Sequence, residues 1–191
     1  MPNADAPLPS ARDRIFDTAY RLFYRDGLRA TGIDRIIAES GVAKMSFYRN
    51  FPSKADLITA FLNKRHESWM EWFVAAVEAK LARPNAGIEV IADVLESWFT
   101  QPDFRGCTFI NTVVESGTET NGEAWALALA HKEELCTYIE QLARRLALAR
   151  PKDVAGEAMV IIEGMIVRFQ MTADARVAGA GKRLLKRIQQ S

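Results

Sequence analysis

Long apolar runs are missing from this sequence of 191 residues, although 49% of the residues are hydrophobic. A membrane-spanning helix needs about 18 or more consecutive apolar residues, and the sequence contains no such run. Its first residues also lack the basic start and apolar stretch of a secretory signal. We therefore expect a cytoplasmic protein that does not contact a membrane.

Cysteine and histidine are also scarce, with Cys107, Cys136, His66 and His131 as the full set. In a reducing cytoplasm, two cysteines are expected to be small buried hydrophobic residues rather than a disulfide framework. The two histidines stand far apart, and no Cys, Asp or Glu cluster has the spacing of metal ligands. The sequence predicts no metal site and no bound cofactor.

Charge of one sign does not dominate, since 25 basic and 24 acidic residues give a net charge of +1. The distribution is uneven, however. Residues 1–54 carry nine basic and six acidic residues, a net +3, and the remainder carries sixteen and eighteen, a net −2. Because a nucleic-acid binder shows its basic residues in one region, the N-terminal quarter is the candidate region.

Strand signals are nearly absent, and apolar residues recur at spacings of three and four, which predicts an all-α fold. Residues 1–9, with three prolines, are predicted to be disordered. Helices are predicted from Ser10 to Gly27, from Thr31 to Ser40, and over 43–50, 54–82, 87–100, 105–116, 122–149, 152–173 and 177–189.

Three of these helices begin with a Ser or Thr that is followed three residues later by an acid, which is the pattern of a capped helix start. The pairs are Ser10 and Asp13, Thr31 and Asp34, and Ser53 and Asp56. Three such starts within a short stretch predict compact helices joined by short turns.

Residues 31–51 read TGIDRIIAESGVAKMSFYRNF, a helix, a three-residue turn at Gly41 and a second short helix. This is the helix-turn-helix pattern. Residues Ile33, Ile37, Val42 and Phe47 supply a small apolar core that fixes the angle between the two helices. The pattern alone leaves an ordinary helical hairpin as the alternative.

The second helix of this pair offers four side chains that can reach base edges. Lys44 and Arg49 suit guanine, Met45 suits the methyl group of thymine, and Ser46 suits either kind of base. We therefore predict that this helix lies in the major groove of DNA.

Three further residues are predicted to contact phosphates. Thr31 and Tyr48 offer hydroxyl groups, and Lys54 adds positive charge at the start of the fourth helix. Contacts of this kind position a protein on DNA without specifying its sequence.

The stretch resembles the DNA-binding domain of the TetR family of transcription regulators. The matching residues are Ile15, Ala19, Leu22, Phe23, Gly27, Thr31, Ile37, Ala38, Gly41, Val42, Lys44, Ser46, Phe47, Tyr48, Phe51, Ser53, Lys54 and Leu57. The sequence departs from the usual pattern at Met45, where a small residue is commoner, and at Arg49-Asn50.

The resemblance implies a homodimeric repressor that a small-molecule effector releases from a palindromic operator. It implies an N-terminal DNA-binding domain over residues 1–53 and a ligand-binding and dimerisation domain over 54–191, whose first part, 54–82, is a long connecting helix. The dimer is expected to form through the last two long helices, where Gly156 and Gly164 permit close approach. A repressor and an activator remain open alternatives, as do the effector and the operator.

The candidate ligand-binding residues are polar or aromatic side chains on apolar helices: Trp98, Cys107, Asn111, Glu115, Tyr138 and Glu163. Among them, Asn111 shares a helix face with Cys107, Ile110 and Val114, which predicts an amide that points toward the interior. For the aromatic residues the alternative is core packing, and for Glu163 it is an internal or interface ion pair.

Two other functions stay open. Cys107 follows Arg105-Gly106 at a predicted helix start, where a thiol can become reactive, and this run resembles electrophile- or drug-responsive members of the same family. A helical enzyme or an interaction module without DNA binding is the alternative from another class. The sequence contains no Gly-rich phosphate loop, nucleophile elbow or paired-histidine metal motif, so no catalytic residue is predicted.

Overall fold

The computed structural model describes residues 9–117 and 122–190. Within these ranges all regular structure is helical, which confirms the predicted all-α class. The prediction of disorder at residues 1–9 falls almost entirely on residues 1–8, which lie outside the described residues. No helix within the described ranges is long and apolar enough to span a membrane.

The helices follow one another with short connections. They are α1 Ala11–Asp26, α2 Ile33–Ser40, α3 Lys44–Asn50, α4 Lys54–Leu81, α5 Val90–Phe99, α6 Thr108–Ser116, α7 Glu123–Arg145, α8 Pro151–Thr172 and α9 Arg176–Ile188. The predicted helix over 122–149 extends four residues beyond the end of α7, since the chain turns at Ala147, where φ is 56°.

Two of the three predicted helix caps are present. At α1 the hydroxyl of Ser10 accepts the amide of Asp13, whose carboxylate accepts the amide of Ser10 in return. At α4 the hydroxyl of Ser53 accepts the amide of Asp56 at 3.1 Å. These bonds satisfy amides that have no partner within the helix, so they fix where α1 and α4 begin.

The third predicted cap is wrong. The residue before α2 is Gly32, which has no side chain to accept a bond, and Thr31 is fully buried one position earlier. Its hydroxyl donates to the carbonyl oxygen of Gly27 at 2.8 Å. Thr31 therefore ties the loop between α1 and α2 to the end of α1.

The first three helices pack around a small core that continues into α4. Ile15 and Phe23 of α1 are buried against Phe47 of α3, and Leu57 and Phe61 of α4 are fully buried in the same cluster. The ring of Phe61 lies 5.5 Å from that of Phe23. Because the core runs across residues 53 and 54, the proposed domain boundary there stays a prediction.

The larger part of the molecule consists of α5 to α9 and the rest of α4. Helix α8 packs between α7 and α9, and α4 packs against α5 and α7. The core of this part consists of fully buried apolar side chains, including Phe73, Ile91, Leu95, Leu135 and Ile162. This layer of helices holds α4 along its length, so α4 links the larger part rigidly to the first three helices.

Candidate nucleic-acid interface and sensor core

The turn between α2 and α3 is held by α1. Gly41 adopts a left-handed conformation with φ of 64°, which suits glycine because it has no Cβ. The guanidinium of Arg14 donates to the carbonyl oxygens of Ser40 and Gly41, both at 3.3 Å. The end of α2 therefore has partners for carbonyls that the helix itself leaves free.

The far end of α3 is held in the same way. Arg12 donates to the carbonyl oxygen of Asn50 at 3.0 Å, and its guanidinium lies 4.5 Å from the centre of the Phe51 ring. Phe47 is fully buried between these contacts, with the ring of Tyr48 edge-on at 5.3 Å. Helix α3 is thus fixed in position by one buried face, by its last residue and by the turn that precedes it.

The outward face of α3 carries the residues predicted to read base edges. Met45 is 75% exposed and Tyr48 is 40% exposed, an unusual degree for large apolar or aromatic side chains. Lys44 and Arg49 are exposed beside them, and Ser46 is half-buried. The structure therefore brings five of the seven predicted DNA-binding residues together on one ridge.

Lys54 and Thr31 lie apart from this ridge. Lys54, the first residue of α4, is half-buried, and its burial lowers the pKa of its ammonium while the charge of Glu115 opposes that shift. Thr31 is buried and its hydroxyl is bonded within the chain. The expectation that Thr31 offers its hydroxyl to a phosphate is therefore wrong.

Comparison with known proteins identifies the first four helices. Residues 15–61 match the family model for bacterial regulatory proteins of the tetR family. The regulator LmrA of Bacillus subtilis is 29% identical over 160 residues, which cover 82% of this chain and 85% of LmrA. The crystal structure of SCO4454, a TetR-family transcriptional regulator from Streptomyces coelicolor, superposes with a TM-score of 0.81 and 25% identity over 94% of both chains.

Residues 15–61 form the DNA-binding domain of the TetR family of transcription regulators. A further relative, the repressor ComR of Escherichia coli, is 27% identical over 141 residues, 71% of this chain and 65% of ComR. The residues that carried the resemblance lie within or next to the matched range, from α1 to the first turns of α4.

The ligand-binding residues predicted from the sequence do not form one site in this TetR-family fold. Trp98 and Cys107 line one cavity of about 10 Å³, whereas Asn111 and Glu115 line a separate cleft. Cys107 is 5% exposed, as expected for a small hydrophobic residue. A sensor thiol has to meet its reagent, so this burial does not support the electrophile-sensor alternative.

Asn111 does not point into the apolar interior, and that prediction is wrong. Its side-chain amide donates to the carbonyl oxygen of Arg105 at 3.1 Å, and its oxygen accepts from Gln170 at 3.4 Å. The residue faces a polar cleft of about 250 Å³ between α6 and the end of α1.

Glu115 lies at the same cleft and joins α6 to the first three helices. Its carboxylate accepts the backbone amide of Arg29 at 2.8 Å. The contact is close, because a Cβ atom at Gly27 would lie 2.8 Å from an oxygen of Glu115. Glu115 is thus a direct link between the larger helical part, to which α6 belongs, and the loop before α2.

Tyr138 and Glu163 each have partners elsewhere. The hydroxyl of Tyr138 donates to Glu78 at 2.9 Å, and burial followed by this bond raises the pKa of the phenol. Glu163 lies 3.2 Å from the ammonium of Lys132, as in the ion-pair alternative. Neither side chain lines the cavity that holds Trp98 and Cys107.

Sequence reasoning missed a pair of histidines between α4 and α7, in the interior of the larger helical part, here called the sensor core. The Nδ1 atoms of His66 on α4 and His131 on α7 lie 3.0 Å apart, and the other ring nitrogen of His66 lies 3.2 Å from Glu134. His131 is 2% exposed and stacks on Phe109 with ring centres 3.7 Å apart. A signal was available, since His131 shares the buried face of α7 with Ala128 and Leu135.

His131 stays uncharged in the folded protein. Burial, followed by the positive charges of Lys132, His66 and Arg65, lowers its pKa to about 3. An uncharged ring can accept or donate one hydrogen bond at Nδ1, which suits its bond to His66.

We predict that replacing Thr31 by Val destabilises the protein without weakening DNA binding. Loss of the bond to Gly27 should lower the free energy of unfolding by about 1–2 kcal/mol, because the buried hydroxyl of Thr31 and its part-buried acceptor lose each other. Urea unfolding measures this effect. The control Thr137→Val removes a similar bond at an exposed site on α7 and should cost less. Weaker operator binding by the folded Thr31→Val protein would show that Thr31 contacts a DNA phosphate, contrary to this prediction.

Because His131 is buried and uncharged, we predict that the free energy of unfolding falls as the pH is lowered below about 6.5. The unfolded chain takes up a proton near pH 6.5, whereas folded His131 does not until about pH 3. Between these values His131 should remove about 1.4 kcal/mol of stability per pH unit. Urea unfolding from pH 7 to pH 4.5 measures the slope, and His131→Phe should flatten it. An equal slope in the two proteins would contradict a neutral buried ring.

Proposed function

We propose that this TetR-family regulator is a homodimeric repressor that binds a palindromic operator and releases it when a small molecule occupies the larger helical part. The observation that carries the proposal is the α3 ridge, which consists of Lys44, Met45, Ser46, Tyr48 and Arg49. An exposed ridge on a helix held by α1 has the rigid geometry that major-groove recognition needs. As a DNA-binding regulator, the protein is proposed to act in the cytoplasm.

The residues of the ridge divide the work of recognition by their chemistry. Lys44 and Arg49 are proposed to donate to guanine, and Met45 to contact a thymine methyl group. The hydroxyls of Ser46 and Tyr48 are proposed to bond to a base and a phosphate, respectively. Lys54, at the half-buried start of α4, adds a phosphate contact beside the groove.

An apolar face on α8 and α9 supports the proposed dimer. Val160 is 72% exposed, Met171 is 76% exposed and Leu184 is 45% exposed. Apolar patches of this kind on a folded chain usually mark an interface. Gly156 and Gly164 lie on the outer side of α8, where a Cβ atom would meet no other atom within 4 Å. A second α8 can therefore approach closely, with two-fold symmetry.

The link at Glu115 supports effector control. A ligand that displaces α6 moves the carboxylate that holds the amide of Arg29, and with it the loop that precedes α2. Coupling between two such sites is typically about 1–3 kcal/mol, enough to change operator affinity about 5- to 150-fold.

Replacing Lys44 and Tyr48 together by Ala should weaken specific DNA binding at least tenfold while the dimer stays intact. Each lost contact to a base or phosphate costs about 1–3 kcal/mol. The DNA is the sequence that the wild-type protein enriches from a random double-stranded pool, and a mobility-shift titration gives the affinity. Lys64→Ala, an exposed lysine on α4, is the control and should bind as the wild type does. Unchanged affinity of the double variant would refute the ridge as the reading surface.

A charge on the α8 face should separate the subunits. Val160→Glu places a carboxylate in the proposed interface, where it would lose its hydration without a partner. We expect a monomer in sedimentation at a concentration where the wild type is a dimer. Val114→Glu is the matched control, because Val114 is 74% exposed on α6. A dimeric Val160→Glu protein, or a monomeric Val114→Glu protein, would place the interface elsewhere.

A further inference from the structure

A small cavity lies where α6 begins, between α4 and α5. Its walls include the rings of Trp69, Trp98, Phe109 and His131, and Thr108, the first residue of α6, closes it. Its volume of about 10 Å³ holds at most about one water molecule. In this conformation the cavity is a cluster of aromatic faces with almost no free space.

Two polar atoms on its walls have no hydrogen-bond partner among the described residues. They are the indole nitrogen of Trp69 and the hydroxyl oxygen of Thr108, and each residue is 8% exposed. A buried polar atom without a partner costs about 1–3 kcal/mol. The indole nitrogen can only donate, and the hydroxyl can donate as well. One oxygen acceptor placed between them would satisfy both.

A second, larger cavity lies on the other side of the same wall. It has a volume of about 200 Å³, opens between α4 and α7, and is lined by apolar groups of Leu62, Leu127 and Ala130. Phe109 and His131, stacked on each other, line both cavities. The larger space accommodates a single aromatic ring, and the stacked pair offers it faces and edges to pack against.

The charged groups around these cavities are already partnered. Glu134 lies 3.2 Å from a ring nitrogen of His66. Arg65 donates to the hydroxyl of Tyr20 at 3.3 Å and lies 4.2 Å from the centre of the Tyr24 ring. These contacts of Arg65 are with uncharged groups, and a charged ligand would lose its hydration among the aromatic rings of the small cavity. The site therefore favours an uncharged molecule.

We propose that the two cavities form one binding site for an uncharged, single-ring aromatic compound that carries an oxygen acceptor. The ring occupies the larger cavity and displaces the stack of Phe109 and His131, and the oxygen accepts from Trp69 and Thr108. This inference rests on the proposed function, since it names the effector class. It also explains the coupling, because Thr108 and Glu115 stand at opposite ends of α6.

Three probes of similar shape test the chemistry by calorimetry on the full-length protein. Acetophenone has the ring and an acceptor, ethylbenzene has no acceptor, and benzoate has a negative charge. Acetophenone should bind about tenfold more tightly than ethylbenzene, because only its oxygen can accept the hydrogen bonds from Trp69 and Thr108. Benzoate should bind more weakly than acetophenone.

Variants place the probe in the site. Thr108→Val keeps the shape of the side chain and should weaken acetophenone binding several-fold without changing ethylbenzene binding. Thr112→Val is the control, since this buried hydroxyl donates to the carbonyl oxygen of Thr108 and lies outside both cavities. Ala130→Leu narrows the larger cavity from an exposed helix position and should weaken both neutral probes at least tenfold.

Several results would overturn the inference: no binding by any probe, equal binding of acetophenone and ethylbenzene, preference for benzoate, or an unchanged affinity in Thr108→Val. The mobility-shift titration separates this failure from failure of the proposed function. If acetophenone binds as described but leaves the DNA complex intact, the site stands and effector release fails. If the protein binds DNA but none of the probes, the inference fails and the DNA-binding proposal stands.

Discussion

The hold that α1 exerts on α2 and α3 is the constraint on which the rest of the structure depends. Arg12 and Arg14, two residues apart, donate to carbonyl oxygens at the ends of α3 and α2. A seven-residue helix such as α3 is too short to be stable by itself. Because the last residue of α3 and the end of α2 before it are both bonded to α1, the direction of the ridge is set by the direction of α1.

The direction of α1 is in turn set by α4. The ring of Phe61 on α4 contacts Tyr20 at 5.2 Å and Phe23 at 5.5 Å, so the two helices share a packed aromatic core. The link from α6 is of another kind, a polar bond from Glu115 at the edge of a cleft. The packed aromatic core makes α1 and α4 move as one rigid unit. The single hydrogen bond from Glu115, in contrast, breaks at small cost in free energy. Under the proposed function, this combination is what lets a modest change among α5 to α9 reorient the ridge without unfolding it.

The features of this fold that could be predicted from the sequence are those set by residues close together in the chain. Ser10 and Ser53 start helices because a hydroxyl accepts an amide three residues later, and that rule needs no knowledge of distant parts of the chain. The same rule is wrong for Thr31, because its hydroxyl donates to the carbonyl oxygen of Gly27 instead. Only the folded loop brings these two groups together. The early end of α7 also depends on a local turn, at Ala147, that apolar spacing does not reveal.

The sensor core was hard to predict because its contacts join distant residues. His66 and His131 are 65 positions apart, and their spacing in the chain carries no sign of contact. One consequence concerns how the core can be observed. Trp69 has His131 at 5.3 Å and Trp98 at 5.5 Å, whereas Trp125 lines a separate cleft near the start of α7. The fluorescence of an indole depends on neighbouring rings and on local polarity. The intrinsic fluorescence of Trp69 and Trp98 therefore reports on changes in this core without an added label.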